Sequence, residues 1–547
     1  MDSSEIRSTV RFRDSGRLLA AGPNSAFILS SLLFGLLTVA AVPPLRGPDE
    51  TAHFLRAYGV AGGDLVPSIL DAHGRKGILL PARVYADFDY FEGVRVAEKN
   101  AGWAGYGPVF RKYFDGVRAP MGPQPTFVPY AGSEGYSPVA YLPQATAAAI
   151  AAALDLGFLA TLYLMRLASL LATTVLIALA IALLPQLGWA LFAIALLPAA
   201  TYGRSVISAD AMALGTALVA TTLWLRGMLF PPVQRRAQLA LWLMMTALTK
   251  PTNLVFVLLG LKTPLELSAR SWLLVVGTIL PAIVASLLWS FVSGADVARW
   301  RMVEITGQVP AAFDPAAKIS YLLDHPWHFP AAVFASLDAN ALGELWRQAI
   351  GVLGLFDTVL QPWVYPMVSV LVLGTFFVSL PMTPAARRQV SILAGATTLA
   401  YVAAVYFVCY LAFTPIEAPS IWGVQGRYFI PIFSLLAGVV AALVTRSAEA
   451  AHKSNGDFSR CALRDRQPRS YIEGRLAFLM GVGLKLVACW RGVTAQIRPC
   501  KRDRVPLVEG STSPSRPPSV GVLSRTDGIN HPLYRARCLG NANIKLE

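Results

Sequence analysis

Residues 42–63, VPPLRGPDETAHFLRAYGVAGG, follow directly on an apolar run from Ala26 to Val42 and contain the paired carboxylates Asp49 and Glu50. A proline stands where a helix would begin, and two acidic residues in a first turn complement the positive end of the helix dipole. His53 follows the pair by three and four residues, so all three side chains can share one helical face. The stretch predicts a helix that is either simply well capped or chemically active.

Composition places this helix in a membrane protein. Of 547 residues, 55% are hydrophobic and 14% charged, with a mean hydropathy of +0.51. Soluble domains carry about 25% charged residues, so the chain is predicted to be an all-α polytopic membrane protein. Its net charge of +15 comes from basic termini and short loops, which favours anionic lipid over nucleic acid as a partner. The five cysteines show no disulfide or zinc-site spacing.

Charge placement predicts the topology. Basic residues precede the first apolar run, so the N-terminus is expected in the cytoplasm and the first span is expected to be an uncleaved anchor. We predict a basic cytoplasmic N-terminus (1–25), a transmembrane domain (26–446) and a basic, disordered cytoplasmic tail (447–547). The expected outer loops cover about 43–137, 295–345 and 414–424, the first being large. The N-terminal basic residues are Arg7, Arg11, Arg13 and Arg17.

Ten to twelve transmembrane helices are expected in the transmembrane domain, since about 20 apolar residues cross a bilayer. After the first loop, the chain is predicted to return inward from Tyr136 to about Leu154. It then crosses outward over Ala160–Leu184, with Arg166 near the cytoplasmic end of that span. Later predicted spans are Trp272–Val292, Val364–Leu380, Val390–Phe413 and Tyr428–Val444.

One apolar stretch, Gln186–Tyr202, is ambiguous because it contains a proline. If it spans the membrane together with Val206–Leu225, the arginines that follow lie outside, against the positive-inside rule. We favour a re-entrant segment, which puts them inside and marks the wall of a cavity. Those arginines are Arg226, Arg235 and Arg236.

Two further stretches are short for spans. Leu239–Leu248 and Asn253–Leu261 are interpreted as a hairpin with Lys250 at its outer turn, the alternative being one proline-kinked helix. Gln348–Phe356 is predicted to be a short dipping helix.

On this topology, several polar positions meet Asp49 on the outer face: Tyr136, Asp210, Lys250, Gln425 and Arg427. Ionisable residues at membrane depth are costly and are usually functional or paired. Each also has a simpler explanation. Tyr136 suits an aromatic belt, Asp210 could pair with Arg204, Lys250 could mark only a turn, and Arg427 could snorkel.

Four motifs carry a resemblance, in this order: PPLRGPDETAHFLRA, YSPVAYLPQA, SVISADAM and QGRYFIP. With them, the chain resembles the bacterial membrane-protein family designated domain of unknown function 2142 over roughly residues 26–444. That family in turn resembles the GT-C superfamily of integral-membrane glycosyltransferases. The resemblance implies a GT-C-like helix arrangement in the bacterial cytoplasmic membrane.

The resemblance also implies an activity. GT-C enzymes take sugars from polyprenyl-phosphate donors and place an acidic residue in the first outer loop, which corresponds to Asp49, with Glu50 beside it. Asp49 is then the expected base and Arg427 the expected phosphate ligand, while Tyr136, Asp210, Lys250 and Gln425 are candidate substrate contacts. His53 could orient substrate or, with Asp49, hold Mg²⁺ or Mn²⁺.

The predicted function is therefore inverting transfer of a sugar from a polyprenyl-phosphate donor to a cell-envelope glycan or lipid acceptor. A transporter or flippase of lipid-linked saccharides is the first alternative, although transporters usually carry midplane charges and internal repeats. A non-catalytic envelope-assembly scaffold is the second.

Overall fold

The computed structural model describes residues 22–72, 74–97, 103–116, 124–230, 236–261, 269–293, 302–303, 306–307 and 309–454. The N-terminal arginines, Arg235 and the tail beyond residue 454 lie outside this set. The first helices are α1 (Pro23–Ala41), α2 (Glu50–Ala61), α3 (Ala82–Ala97), α4 (Trp103–Phe114), α5 (Leu142–Ala153), α6 (Phe158–Leu183), α7 (Gly188–Ala195), α8 (Pro198–Ser205) and α9 (Ala209–Leu229).

The remaining α-helices are α10 (Arg236–Thr249), α11 (Ala269–Ser293), α12 (Pro315–Asp324), α13 (His328–Ala335), α14 (Ala339–Gly351), α15 (Val364–Phe376), α16 (Pro384–Phe413) and α17 (Phe433–Ser454). The 3-10 helices are Ser133–Gly135, Pro138–Tyr141, Pro185–Leu187, Pro251–Gly260, Pro310–Phe313 and Gly426–Ile432. The strands are β1 (Ile69–Leu70), β2 (Lys76–Leu80), β3 (Thr126–Pro129), β4 (Val352–Leu353) and β5 (Thr358–Val359). The chain is thus an all-α polytopic membrane protein with a little added sheet, and α17 continues into the first residues of the predicted tail.

Helix α1 is an apolar run that starts at a proline, which a helix tolerates in its first turn, and stops before Pro43 and Pro44. We term the end of the bundle at Ala41 the loop end, and the other the opposite end. Helix α6 packs antiparallel to α1. The hydroxyls of Ser31 and Thr174 lie 2.8 Å apart at mid-length, and Gly188, just beyond α6, lies against Pro23.

This direction corrects the prediction for α6. It starts at the loop end, where Arg166 Nη1 donates to the Val42 carbonyl at 2.6 Å, so Arg166 lies at the same end as Val42 and not at the opposite end, where the predicted topology has it. The reason is that α5 has only 12 residues, about 18 Å of helix, which is too short to cross a bilayer. Helix α5 instead packs beside α2 and α6.

Helices α7 and α8 form one broken element, bent by 76° at Pro198. It leads back to the loop end, where the Ile207 amide donates to Glu50 at 3.0 Å. Helix α9 then returns to the opposite end, where Arg226 Nη1 donates to the Leu183 carbonyl at 3.1 Å. Arg226 therefore lies at the end opposite Val42, and the chain reaches that end by a route other than the predicted one.

Helix α10 and the 3-10 helix Pro251–Gly260 form the expected hairpin, with Lys250 at its loop-end turn. Helix α11 runs back to the loop end, where its Trp289 indole donates to the Gly135 carbonyl of the first loop at 2.8 Å. Within the described residues, the chain makes ten passes between the two ends, through α1, α6, α7–α8, α9, α10, Pro251–Gly260, α11, α15, α16 and α17.

Not all of these passes have the length of a membrane span. In the described part of the chain, six helices are long and apolar enough to cross a membrane, or seven if the bent pair α7–α8 counts as one. Ten to twelve were expected. The difference arises because α10, the Pro251–Gly260 helix and α15 have only 14, 10 and 13 residues.

The predicted dipping helix over Gln348–Phe356 is wrong beyond Gly351. There α14 ends and the β4–β5 hairpin begins. Two left-handed residues, Gly354 (φ 67°) and Phe356 (φ 64°), make the turn, and glycine adopts such angles without a Cβ clash. The turn is held by Asp357, whose Oδ2 accepts a 2.7 Å hydrogen bond from Arg46.

The first loop folds on the loop end of the bundle. Strands β1, β2 and β3 form an antiparallel sheet in which Gly77 pairs with Pro129 and Leu80 with Thr126. An aromatic cluster fixes α2 and α3 against α6: the Phe54 ring lies 5.1 Å from that of Phe158 and 6.0 Å from that of Phe88. This packing holds the start of α2 beside the bundle.

A buried ion pair sets the exact position of α2. Both side chains of Glu50 and Arg166 are fully buried, and Arg166 Nε and Nη2 donate to the two Glu50 oxygens at 2.7 and 2.6 Å. Glu50 also accepts from the Gly47 and Ile207 amides, each at 3.0 Å. Arg166 donates as well to the Pro43 carbonyl at 2.9 Å. The pair thus joins α1, α2, α6 and the start of α9.

Replacing Arg166 by glutamine should destabilise the protein by about 3–5 kcal/mol, because Glu50 would remain buried without its counter-charge. The measurement is the thermal unfolding midpoint of purified protein in detergent. The matched control is Arg347→Gln, in a half-exposed pair with Glu344, which should cost less than about 1 kcal/mol. An Arg166→Gln protein as stable as the control would contradict the prediction.

Candidate functional site

An open cleft lies at the loop end of the bundle, between α8, α9, the β4 region and the 3-10 helix Gly426–Ile432. Its volume is about 680 Å³, including the solvent at its mouth. Polar residues in its wall are Tyr202, Arg204, Asp210, Lys250, Gln348, Tyr401, Arg427 and Tyr428, and Pro48, next to Asp49, also lines it. The remaining wall is mostly apolar.

Four alternating charges form a chain beside this cleft. Asp210, Lys250 and Arg427 line it, whereas Asp49 follows the lining residue Pro48 and is not itself among the lining residues. Arg427 Nη2 lies 3.4 Å from Asp49 Oδ2, and Arg427 Nε lies 3.6 Å from Asp210 Oδ2. Lys250 forms an ion pair with the other oxygen of Asp210. Two carboxylates and two cations, far apart in the sequence, are thus brought together with a formal net charge of zero.

The local backbone structure sets the position of each charged side chain. Asp49 precedes α2 in a left-handed conformation (φ 54°, ψ 19°) and makes no capping hydrogen bond with its side chain. A non-glycine residue in this region is strained, and such strain clusters at functional sites. Asp210 lies in the first turn of α9, where the Ser208 hydroxyl accepts from its amide at 3.1 Å. Lys250 directly precedes the Pro251–Gly260 helix.

The contacts of Arg427 are looser than those of Arg166. Its guanidinium carbon lies 5.5 Å from the Tyr428 ring centre and 5.7 Å from that of Phe356. Its nitrogens approach the two carboxylates only to 3.4 and 3.6 Å, whereas charge-assisted hydrogen bonds are usually about 2.7–2.9 Å. Stacked guanidinium groups with weakly engaged donors suit binding of an oxyanion.

Lys250 shares the same aromatic wall, because its ammonium lies 4.4 Å from the Tyr428 ring centre. Gln425 begins the 3-10 helix, and its carbonyl accepts from the Tyr428 amide at 3.1 Å. The Gly426 amide donates to Gln348 Oε1 at 2.9 Å. Gln425 thus shapes the turn that presents Arg427, and it is not among the residues that line the cleft.

His53 and Tyr136 lie behind Asp49 in a small aromatic group. His53 Nδ1 lies 2.6 Å from the Tyr141 hydroxyl, and the His53 ring is 5.6 Å from that of Tyr136. Burial lowers the pKa of His53 to about 4, against the raising effect of Asp49 and Asp210. His53 is therefore neutral at pH 7, and its backbone amide donates to the Asp49 carbonyl at 3.0 Å.

Two charged side chains have partners other than those considered from the sequence. Glu50 is not at the cleft, because both its oxygens are engaged by Arg166 and two amides. Arg204 does not pair with Asp210 but donates to Ser31 and to the Ala195 carbonyl. In the described part of the chain, no group of three or more His, Cys, Asp or Glu side chains could hold a metal ion.

Sequence reasoning missed Phe356, Gln348 and Tyr401 as parts of the cleft. Phe356 lies in the left-handed β4–β5 turn, where its ring contacts Arg427. Gln348 lies near the end of α14 and accepts a hydrogen bond from the Gly426 amide. Tyr401 lies in the middle of α16, and its hydroxyl donates to Asn253 and to the Tyr428 carbonyl. No local motif marks these three positions.

The stability of the protein should depend on His53 between pH 7 and pH 4. Since the pKa of His53 is lowered from 6.5 to about 4, the stability that neutral His53 contributes is present above pH 6.5 and is lost as pH falls towards 4. The unfolding midpoint of the wild type should exceed that of His53→Gln at pH 7, and the difference should shrink steadily at lower pH. A difference independent of pH would contradict a buried neutral His53.

A family model covers most of this architecture. The model described as "Predicted membrane protein (DUF2142)" matches residues 32–436, which include the second half of α1, the first loop and the four charges Asp49, Asp210, Lys250 and Arg427. No curated protein and no solved structure matches the chain significantly. The match extends over more than half of the 547 residues. The chain therefore belongs to the DUF2142 family of predicted membrane proteins.

Proposed function

We propose that the protein is an inverting integral-membrane glycosyltransferase that moves a sugar from a polyprenyl-phosphate donor to a cell-envelope glycan or lipid acceptor. The observation that carries the proposal is the meeting of Asp49 and Arg427 at 3.4 Å beside an open cleft at one end of a membrane bundle. A base and a phosphate ligand within reach of one sugar phosphate are the minimum that this reaction requires.

Charge placement supports an extracytoplasmic position for the cleft. Four arginines lie at the opposite end of the bundle, near the start of α10 and α16 and the end of α9. By the positive-inside rule, that end faces the cytoplasm and the loop end faces outward. These arginines are Arg226, Arg236, Arg387 and Arg388. A lipid-linked donor presented on the outer leaflet of a bacterial cytoplasmic membrane would then reach the cleft.

In the proposed reaction, Asp49 accepts the proton of the acceptor hydroxyl as its oxygen attacks the anomeric carbon. The bond from that carbon to the donor phosphate oxygen breaks, and the polyprenyl phosphate leaves with the bonding electrons. Arg427 stabilises the negative charge that develops on the phosphate. A single displacement of this kind inverts the anomeric centre.

The neighbouring residues have supporting roles in the proposal. Asp210 lies between Arg427 and Lys250 and holds both cations at the cleft wall. Glu50 is assigned to structure, since it is fully buried against Arg166. The cleft beside these groups is open to solvent. Its apolar wall suits the first lipid units of the donor.

Replacing Asp49 by asparagine should lower sugar transfer by about 100- to 10,000-fold, because asparagine cannot accept the acceptor proton. The measurement is transfer from a polyprenyl-phosphate sugar by reconstituted protein. Asp115→Asn, at an exposed position of the first loop, is the control and should keep full activity. Full activity of Asp49→Asn would remove Asp49 as the base.

Replacing Arg427 by lysine keeps the charge but removes the planar donor pair, and should reduce kcat by about 100-fold. The effect should fall on kcat more than on KM, because the phosphate gains charge in the transition state. Arg347→Lys, on the exposed side of α14, is the matched control. A change confined to KM would assign Arg427 to ground-state binding only.

A second candidate function is transport of lipid-linked saccharides, favoured by the broken α7–α8 element. Its break of 76° lies next to the cleft, which Ala199, Gly203 and Arg204 line, and discontinuous helices mark substrate sites in many transporters. Purified protein that moves labelled lipid across vesicles without changing it chemically would favour this function. We rank it second because the four paired charges lie at one end of the bundle.

A further inference from the structure

Helices α12 and α13 form a hairpin at the loop end with large apolar side chains on its surface. Leu323, Trp327 and Phe334 are 79%, 81% and 78% exposed, and Ile319 on the same face of α12 as Leu323 is 47% exposed. Clustered apolar surfaces of this kind mark contact with a partner or a membrane. This segment lies within the outer loop predicted over about residues 295–345.

Lys318 ties the hairpin to a membrane span. Its side chain is fully buried, and its ammonium donates to the carbonyls of Tyr410 and Leu411 at 3.1 and 2.7 Å. These carbonyls belong to the last turn of α16, where a cation also complements the helix dipole. Helix α12 is thus fixed at the height at which α16 ends.

Helix α13 lies beside the same span. The Phe329 ring packs edge-on against the rings of Phe407 and Tyr410, with centres 5.6 and 5.9 Å apart. His328 also lies 6.0 Å from the Tyr410 ring. One side of α13 therefore faces the final two turns of α16, while Phe334 projects away from the protein.

The length of α16 gives the depth of this contact. Its 30 residues extend about 45 Å, whereas the hydrocarbon core is about 30 Å thick and takes about 20 residues. Arg387 and Arg388 in its first turns must stay outside the core at the opposite end. Twenty residues counted from Gln389 reach the neighbourhood of Phe407. Phe407 and Phe329 therefore lie where hydrocarbon meets headgroups.

We propose that the α12–α13 hairpin is an interfacial membrane anchor whose exposed apolar side chains insert into the lipid at the loop end. Lipid is the occupant because the hairpin continues the bilayer-facing surface of α16, on which Leu399 is 73% and Phe407 38% exposed. Tryptophan and phenylalanine on a short amphipathic element are typical of such an interface.

The anchor is joined to the cleft through α14 and the loop before Arg427. The Ser336 hydroxyl at the end of α13 accepts from the Ile421 amide at 2.8 Å, and Gln348 at the end of α14 accepts from the Gly426 amide. The hairpin therefore holds one wall of the cleft at the membrane surface. This placement does not require the proposed transferase activity.

The test is site-directed spin labelling of the full chain in vesicles of phosphatidylethanolamine and phosphatidylglycerol. Leu323→Cys and Phe334→Cys would each be made in a background without the five native cysteines. The control is Glu344→Cys, a half-exposed polar position on α14. Each nitroxide is probed by collision with oxygen, which concentrates in lipid, and with a water-soluble nickel chelate.

We expect the ratio of oxygen to nickel accessibility at positions 323 and 334 to exceed that at position 344 several-fold. A ratio equal to the control at either position would place the hairpin in water and overturn the proposal. Shielding of either label from both reagents would also overturn it, since a protein partner would then cover the surface. Both labels replace exposed side chains, so we expect the variants to fold. Folding is checked by an unchanged elution volume in size-exclusion chromatography and an unchanged unfolding midpoint.

Discussion

The buried ion pair between Glu50 and Arg166 is the interaction on which the site depends. A carboxylate and a guanidinium without water are costly unless every lone pair and proton is engaged, and here two amides and two further carbonyls complete the set. These partners come from α1, the turn before α2, α6 and the start of α9. The first loop can therefore dock on the bundle in only one register.

That register gives two adjacent carboxylates opposite roles. Glu50 points into the packed junction, and Asp49, one residue earlier and in a left-handed conformation, points to Arg427. Successive residues at the start of a helix face in different directions. Glu50 can therefore form the buried ion pair with Arg166 while Asp49 contacts Arg427. The Glu50–Arg166 ion pair, one residue away, holds the backbone of Asp49 in this strained conformation.

The four charges of the chain beside the cleft balance one another. Asp49, Arg427, Asp210 and Lys250 alternate in sign, and Tyr428 and Phe356 cover the cations. Low-dielectric surroundings strengthen such contacts but penalise an unpaired charge. A ligand phosphate that binds Arg427 would compete with Asp49 for it, which links phosphate binding to release of the carboxylate in the proposed reaction. The α12–α13 hairpin sets the height of this cleft relative to the lipid.

Composition, hydrophobic runs and arginine placement determined the membrane class, the helical fold, the hairpin around Lys250 and the set of charges near Asp49, because these depend on local burial and on the bilayer. The direction of α6 and the partners of the charged side chains could be determined only from the tertiary structure. The sequence could not show that α5 stops short and reverses α6, or that Glu50 rather than Asp49 pairs with Arg166. It also could not place Phe356 over Arg427. Such choices are made by contacts between residues far apart in the sequence, whose free energies depend on geometry that only the packed bundle supplies.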